Sequence, residues 1–367
     1  MTHRVLILGG RGRIGNSVAQ DLLQHTSAKI TITGNQDWPN WTSSLPDNRT
    51  QFLRLPLTEQ ELLRQTIAES DLVIHCAGPF HYRDAGVLKL CIEEKVNYLD
   101  VSDGVTFTRR ALHYQAPAAA AGVTAVINSG IFPGISNSMV RKCVEQFDQP
   151  EQIHLSYVVS GSGGAGLTVM RTTFLGLLQP FQAWIEGQWQ SIKPYSDRQA
   201  ILLPPPYGKV NVYWYEMPET LTLVDSFPVQ TVITKFGSIP DFYNHLTWIA
   251  AHIFPKAWIR SARGTEFLAR VSYRMTQVSD RFSGIGVGIR SEIVGLKDGQ
   301  RRRYLSTLVH DNTAIAAGAG TGSIAELLLS GQLQKPGVWP VEQVLSTPLF
   351  ETCMQSRAIE IHYGWEN

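Results

Sequence analysis

The sequence predicts an α/β protein: a Rossmann doubly wound parallel sheet with an inserted α+β domain built on a mostly antiparallel sheet. Three observations carry this. An apolar run, Val5 to Leu8, meets a Gly-x-Gly-x-x-Gly turn and then a helical pattern. Strand-like and helix-like segments alternate behind it as far as Ile127. Farther on, prolines and aromatics become frequent, and an Asp-Gly turn joins two extended runs. Alternation of strand and helix builds a parallel sheet, whereas Asp-Gly hairpins build an antiparallel one.

Val5 to Leu8 is apolar and branched, as a strand buried on both faces requires. Gly10-Arg11-Gly12-Arg13-Ile14-Gly15 follows, and Ile14, Val18, Leu22 and Leu23 repeat at helical spacing. In this context Gly10 is expected to allow the turn, and Gly12 to let the backbone approach a pyrophosphate. Gly15 is expected to let the helix pack close to the strand. Arg11, Arg13 and Ile14 lie in the same loop, where a helix N-terminus offers N–H groups to phosphate. Further strands are expected at 29–33, 52–55, 71–75, 98–101 and 123–127. Helices are expected at 59–68, 85–94 and over most of 107–121.

A ribose-binding acid is expected about 20 residues past the glycines. Counting lands at Gly34-Asn35-Gln36, with Asp37 late, so no carboxylate stands there to repel a 2′-phosphate. Arg11 and Arg13 supply positive charge. The reading favours NADP, with NAD as the alternative because Asn35 also suits an unphosphorylated ribose.

Ligands of open α/β sheets sit beyond the carboxyl ends of the strands. Three unusual loops fall there: Cys76 to Phe80, Asp100 to Gly104 and Asn128 to Ser136. Ala77, Gly78, Pro79, Phe80 and Ser102 are expected against the cofactor, and Phe132 against the substrate. Hydride transfer is the cofactor's chemistry, and the protein supplies orientation and a proton donor. Asp103, His81 and Tyr82 stand just past strand ends and are the candidate catalytic residues. The plainer roles are a helix N-cap for Asp103 and a solvated loop position for His81. Cys76 and His75 read as buried structural residues. No Tyr-x-x-x-Lys follows the fourth strand, which disfavours short-chain reductase chemistry.

The string AGPFHYRDAGVLKLCIEEKVNYLDVSDG, followed by NSGIFPGISNSM and closing on GQLQKPGVWPVEQV, resembles the saccharopine dehydrogenase-like oxidoreductases, most of all their cyanobacterial and plastid members. The resemblance spans most of residues 4–140 and 312–345. It implies a Rossmann domain, an α+β domain inserted before the C-terminal helix, and a nicotinamide cofactor. It leaves the substrate open. The sequence departs from the family pattern at Ser102-Asp103-Gly104, where a Gly-Glu pair is usual.

The boundaries follow: residues 1–135 and 312–367 for the nucleotide domain, 136–311 for the substrate or dimerisation domain. Strands are expected at 152–159 and on both sides of Lys297-Asp-Gly-Gln300, with helices at 168–185, 241–253 and 265–282. Gly161-Ser-Gly-Gly-Ala-Gly166 opens a helix, and Gly164 with Arg171 one turn inside is expected to hold an anionic substrate group. Gly318-Ala-Gly-Thr-Gly322 lies within an apolar helical pattern and reads as small-residue packing onto the Rossmann domain. Phe242 to Trp258 forms an aromatic, apolar cluster. A core or a dimer interface is favoured over a substrate entrance or a lipid-facing surface, because no basic face accompanies the cluster.

The chain has 367 residues, 43% of them hydrophobic, and a net charge of +1, so no basic field argues for nucleic acid. The four cysteines form no CxxC pair or metal spacing, and no metal is expected. The N-terminus does not read as a signal peptide and no 18-residue apolar run occurs, so a cytoplasmic enzyme acting on a small molecule is expected, with a homodimer open. The favoured function is an NAD(P)H-dependent oxidoreductase that reduces a carbonyl, imine or conjugated alkene. The alternatives are an amino-acid-adduct dehydrogenase and a non-catalytic dinucleotide sensor.

Overall fold

The computed structural model describes residues 2–37, 48–163 and 166–366. The chain forms two compact units, Met1–Ile135 with Ala314–Arg357, and Ser136–Thr313 with Ala358–Asn367. Strands are numbered along the chain.

The first unit is built on β1 (Arg4–Leu8), β2 (Lys29–Gly34), β3 (Thr50–Arg54), β4 (Leu72–His75), β5 (Asn97–Asp100), β6 (Thr124–Ile127) and β15 (Gly337–Pro340). Their order is β15-β6-β5-β4-β1-β2-β3, and every pairing is parallel. The direction of winding reverses at β1, which lies between β2 and β4. That makes the carboxyl end of β1 the switch point where ligands of such sheets bind. Val5 to Leu8 are all essentially inaccessible. Fully burying a side chain of this size contributes roughly 1.5–3 kcal/mol, so this short strand anchors the sheet.

Two expectations for this unit change in detail. The helix expected over 107–121 is two helices, Val105–Leu112 and Gln115–Ala121. Pro117 explains the break: in a continuous helix its ring would meet the carbonyl four residues back, whereas in a first turn its missing N–H costs nothing. The final ten residues also leave this unit, as described below.

The helix Thr313–Leu329 packs through its small residues. A Cβ on Gly318 would come within 2.7 Å of Ser17, and one on Gly322 within 2.0 Å of Asp21 Oδ1. This contact holds the helix against Arg13–His25, as the small-residue reading expected. Beside it Arg357 is buried and clamps Asp21, with Nη2 donating to Oδ1 at 2.7 Å and Nε to Oδ2 at 2.8 Å. Nη2 also donates to Glu326 at 3.0 Å.

The second unit is a mixed, mostly antiparallel sheet. Its strands are β7 (Gln149–Ser160), β8 (Phe181–Ile185), β9 (Gln188–Ile192), β10 (Gln199–Leu203), β11 (Gly208–Trp214), β12 (Thr231–Ile239), β13 (Val287–Lys297), β14 (Gln300–His310) and β16 (Ile361–Trp365). The order is β10-β11-β12-β7-β13-β14-β16, with β8 and β9 attached at β12. Only β7 and β12 run parallel among these described pairings. β13 and β14 close the hairpin that Asp298-Gly299 signals, with Lys297 opposite Gln300. The helix expected at 168–185 stops at Leu175, and 181–185 is strand instead. Gly176 and Pro180 interrupt the helix, and the alternation of buried Phe181 and Ala183 around exposed Gln182 has the period of a strand. β16 pairs with β14, and Trp365 packs edge-on against Phe147 and Tyr304. Residues 358–367 thus complete this sheet rather than the nucleotide unit.

Replacing Arg357 with methionine keeps the apolar stem but leaves Asp21 without its counter-charge. Removing one partner of a buried pair costs about 3–5 kcal/mol. A denaturant midpoint lowered to match, at unchanged slope, is the expected result; a loss below about 1 kcal/mol would show that the pair does not hold the first unit together.

Candidate functional site

The parallel sheet delivers the loops after β1, β2, β4, β5 and β6 to one edge. The β1 loop is the tightest. Gly9, and not Gly10, takes the left-handed backbone, with φ +75°. A Cβ on Gly9 would lie 2.7 Å from Ala77 Cα, so the β1 and β4 loops touch backbone to backbone. Gly10 is required for another reason: a Cβ there would strike Ile32 Cγ2 at 2.7 Å. Gly15 lies so close to Gly10 that a Cβ would sit 2.7 Å from its Cα. Gly9 was not among the expected contacts; the Gly-Gly pair at the strand end was its signal.

Gly12 is different. Its φ of −69° is ordinary, and a Cβ would meet only Gly9 O at 3.2 Å. It is the N-cap of helix Arg13–His25, and no side chain caps that helix. A glycine cradle at a helix N-terminus without a capping side chain fits a diphosphate, because backbone N–H groups and the helix dipole both favour anions. Arg11 and Arg13 are exposed. Arg11 lies over the β2 end: a Cβ on Gly34 would meet its side chain at 3.4 Å, and its Nη1 donates to Asp37 O at 3.3 Å. Asn35 is exposed beside it.

The loop after β4 turns inward. His75 is buried, and burial, reinforced by Arg83, lowers its pKa to about 3, so the ring is neutral. Its Nδ1 lies 3.2 Å from the Tyr98 hydroxyl, and its Nε2 has no partner among the described residues. Phe80 is buried edge-on against His75 and Phe107, each at 5.0 Å, which makes it a core residue more than a ligand contact. Ala77 and Gly78 keep some exposure. Cys76 is half-buried, and desolvation pushes its thiol up, as a structural role requires. His81 and Tyr82 sit on the short turn Phe80–Tyr82 and point outward, Tyr82 59% exposed. Desolvation lowers the His81 pKa. Neither side chain joins the loop cluster through a hydrogen bond among those described.

The β5 and β6 ends are knitted together by Asp100, which sequence reasoning treated only as part of a loop. It is fully buried, and its Oδ1 accepts from Ser102 N and Asn128 N, each at 3.0 Å. Asn128 holds a left-handed conformation, φ +60°, and donates from Nδ2 to Ser102 O at 2.8 Å. Ser129 donates to Asp100 O from N and from Oγ, each at 2.8 Å. Desolvation raises the Asp100 pKa to about 6, against the lowering effect of its hydrogen bonds. Ser102 is buried and its hydroxyl accepts from Gly104 N at 3.2 Å, so its side chain closes a turn. Phe132 is buried in the turn after β6, where Gly130 and Gly134 are in contact.

Asp103 stands apart from these anchored groups. The following helix, Val105–Leu112, has Gly104 as its N-cap and no side-chain cap, so the N-cap role does not apply to Asp103. The side chain is partly exposed but densely surrounded. Desolvation raises its pKa to about 6, opposed only by a hydrogen bond to its own backbone. Gly104, next to it, lies against the Phe80 backbone, which puts the Ser102–Gly104 loop beside the β4 loop.

In the second unit, the glycine-rich loop already serves an internal anion. Ser162 donates to Asp280 from N at 2.6 Å and from Oγ at 2.7 Å. Gly164 lies outside the described residues. Arg171 forks onto Glu266 at 2.7 and 3.1 Å. A substrate carboxylate at Arg171 would have to displace that pair. No group of three or more His, Cys, Asp or Glu among the described residues can hold a metal, and no described helix is long and apolar enough to cross a membrane.

Residues 5–126 match the family model of the saccharopine dehydrogenase NADP binding domain. A carboxynorspermidine synthase of Vibrio cholerae is 24% identical over 329 residues, covering 81% of this chain and 77% of that protein. The apo saccharopine dehydrogenase (L-Glu forming) of Saccharomyces cerevisiae has a similar fold, with a TM-score of 0.73 at 14% identity over 100% of both chains. An engineered D-amino acid dehydrogenase bound to NADP+ has a TM-score of 0.51 at 12% identity, covering 97% of this chain and 99% of that one.

Two glycine variants separate binding from folding. Gly12→Asp conflicts only with Gly9 O, at 3.2 Å, a shift of a few tenths of an ångström, and places a carboxylate in the phosphate cradle, so it should abolish the nucleotide-induced rise in melting temperature while the protein stays folded. Gly15→Val drives a side chain into the Gly10 backbone and should lower the melting temperature of the free protein. Equal nucleotide response in folded Gly12→Asp would remove the cradle from the site.

Proposed function

We propose that this chain, whose first unit carries a saccharopine dehydrogenase-type NADP-binding domain, is an NADP(H)-dependent oxidoreductase that reduces a carbonyl, imine or conjugated alkene of a small molecule. The observation that carries the reading is Asp103: a carboxyl group beside the cofactor loops, with no hydrogen bond or ion pair to another of the described residues, its pKa raised to about 6. The dinucleotide supplies or accepts the hydride when bound. The residues of the chain divide the remaining work. Gly9, Gly10, Gly12 and Gly15 bring the backbone to the phosphates, and Arg11 and Asn35 attend the adenosine ribose. Asp103 gives the proton to the atom that gains negative charge.

Of three arginines of the second unit that suit a substrate carboxylate, Arg171 and Arg290 already hold Glu266 and Glu292, which favours a neutral substrate, and Arg274 alone is left exposed. The likeness to a carboxynorspermidine synthase and to a saccharopine dehydrogenase favours a second reading, an amino-acid-adduct dehydrogenase. Kinetics separate the two: reduction of neutral carbonyl or imine compounds supports the first, and turnover only of amino-acid adducts supports the second. A dinucleotide sensor has no use for an uncommitted, desolvated acid.

The pH dependence has a defined sign. The reductive direction needs Asp103 protonated, so kcat/KM should be level below about pH 6 and fall tenfold per unit above it. The oxidative direction needs the carboxylate and should rise through the same range. Asp103→Asn should lower turnover on the order of 100-fold and remove that limb, with nucleotide affinity intact. Full activity with an unchanged profile would assign the proton to another group.

The cofactor preference has its own test. NADPH should stabilise the protein at lower concentration than NADH, by mass action on the folded state. Arg11→Ala should weaken NADPH on the order of tenfold with little effect on NADH. Equal affinities in the parent protein would overturn the 2′-phosphate reading.

A further inference from the structure

The aromatic cluster Phe242 to Trp258 is on the surface of the second unit and not in its core. Phe242, Leu246, Trp248, Ile253, Phe254 and Trp258 are between 36% and 64% exposed on helices Phe242–His252 and Lys256–Arg260 and the turn joining them. The exposed apolar face continues onto helix Ala262–Ser283 through Phe267, Val271, Val278 and Phe282, the last 88% exposed. It is physically continuous: Phe254 meets Trp258, and Trp258 meets Phe267, each pair with ring centroids 5.9 Å apart. An apolar patch of this extent marks an interaction surface.

Its charge identifies the partner. At about 100° per residue, Phe267, Val271, Val278 and Phe282 fall within about 60° of helix circumference, and Arg263, Arg270, Arg274 and Arg281 fill about 40° directly beside them. All four arginines are exposed. The acids of this helix are already engaged: Glu266 takes Arg171 and Arg270, and Asp280 takes Ser162. Arg263, Arg274 and Arg281 have no carboxylate partner among the described residues. A large aromatic stripe flanked by a row of unneutralised arginines is the pattern of a helix lying in a lipid interface, with apolar side chains among acyl chains and guanidinium groups at phosphates.

We propose that this face, formed by helices Phe242–His252, Lys256–Arg260 and Ala262–Ser283, docks on an anionic lipid surface. A second copy of the chain is a poorer occupant. A two-fold contact centred on this face would carry exposed arginines of both copies to the interface, whereas interface cores are depleted of charge. The inference is independent of the catalytic reading, since none of its residues belongs to the first unit.

The test is flotation of the full chain with vesicles of phosphatidylcholine alone, or of phosphatidylcholine with phosphatidylglycerol. Binding to the anionic vesicles, weakened by raised salt and absent from the neutral ones, is expected. The double variant Phe267→Asp and Phe282→Asp should lose binding. The triple variant Arg263→Gln, Arg274→Gln, Arg281→Gln should weaken it about 100-fold, at about tenfold per 1.4 kcal/mol and about 1 kcal/mol per charge. Each variant should keep the parent's nucleotide-induced melting shift, which confirms folding. No flotation with anionic vesicles at low salt would overturn the proposal. Concentration-dependent self-association abolished by the aspartates, without vesicle binding, would overturn it in favour of a homodimer face.

Discussion

The site rests on a constraint of backbone approach. A parallel sheet turns all its carboxyl-end loops to one edge, and here those loops meet at distances that exclude side chains. Gly9 faces Ala77, Gly15 faces Gly10, and Gly134 faces Gly130, each closer than a Cβ permits. Surfaces made of backbone present N–H groups without side chains in front of them, and so suit a ligand whose phosphates carry the charge. Gly12 is packed less tightly than the other glycines of the loop. A Cβ there would press only on Gly9 O, at 3.2 Å, a milder conflict than at Gly9, Gly10 or Gly15.

The same edge holds two acids in different settings. Asp100 and Asp103 are three residues apart, and desolvation raises both pKa values to about 6. Asp100 spends one oxygen on two backbone N–H groups and fixes the spacing of β5 and β6. Asp103 has no such duty. The other Asp100 oxygen, Oδ2, is buried with no partner among the described residues, a cost that the anchored strand ends carry, whereas Asp103 is partly exposed and has no hydrogen bond to another described residue. The distinction lies in hydrogen bonding rather than in acidity.

Much of this was legible in the sequence. Branched apolar runs and the Gly-x-Gly-x-x-Gly context gave the parallel sheet and its cradle, and Asp298-Gly299 gave the hairpin. What was not legible depended on three-dimensional neighbours. The left-handed residue is Gly9 because the β4 loop lies against it, and no local signal separates Gly9 from Gly10. Asp100 and Asn128 are joined across adjacent strands 28 residues apart. Phe80 and Ser102 look like loop residues by position but are buried, while Arg171 looks available until Glu266, 95 residues away, is placed beside it. The last strand was missed because edge pairing of Ile361–Trp365 with β14 is a long-range event.

The core reading of the aromatic cluster fails because Phe242, Leu246, Trp248, Ile253, Phe254 and Trp258 are exposed, and the same face continues onto helix Ala262–Ser283. That helix has two stripes. Gly264, Leu268, Ala269 and Thr276 turn inward, and their small size lets the helix sit close to its unit. Phe267, Val271, Val278 and Phe282 then face away. A surface helix with one layer of protein beneath it cannot bury both stripes. The larger residues are on the outer one, beside the arginines. A stripe present only to stabilise the monomer would place its bulk inward, where burial is rewarded. The reversed arrangement means that the outer stripe is stabilising only when something else covers it.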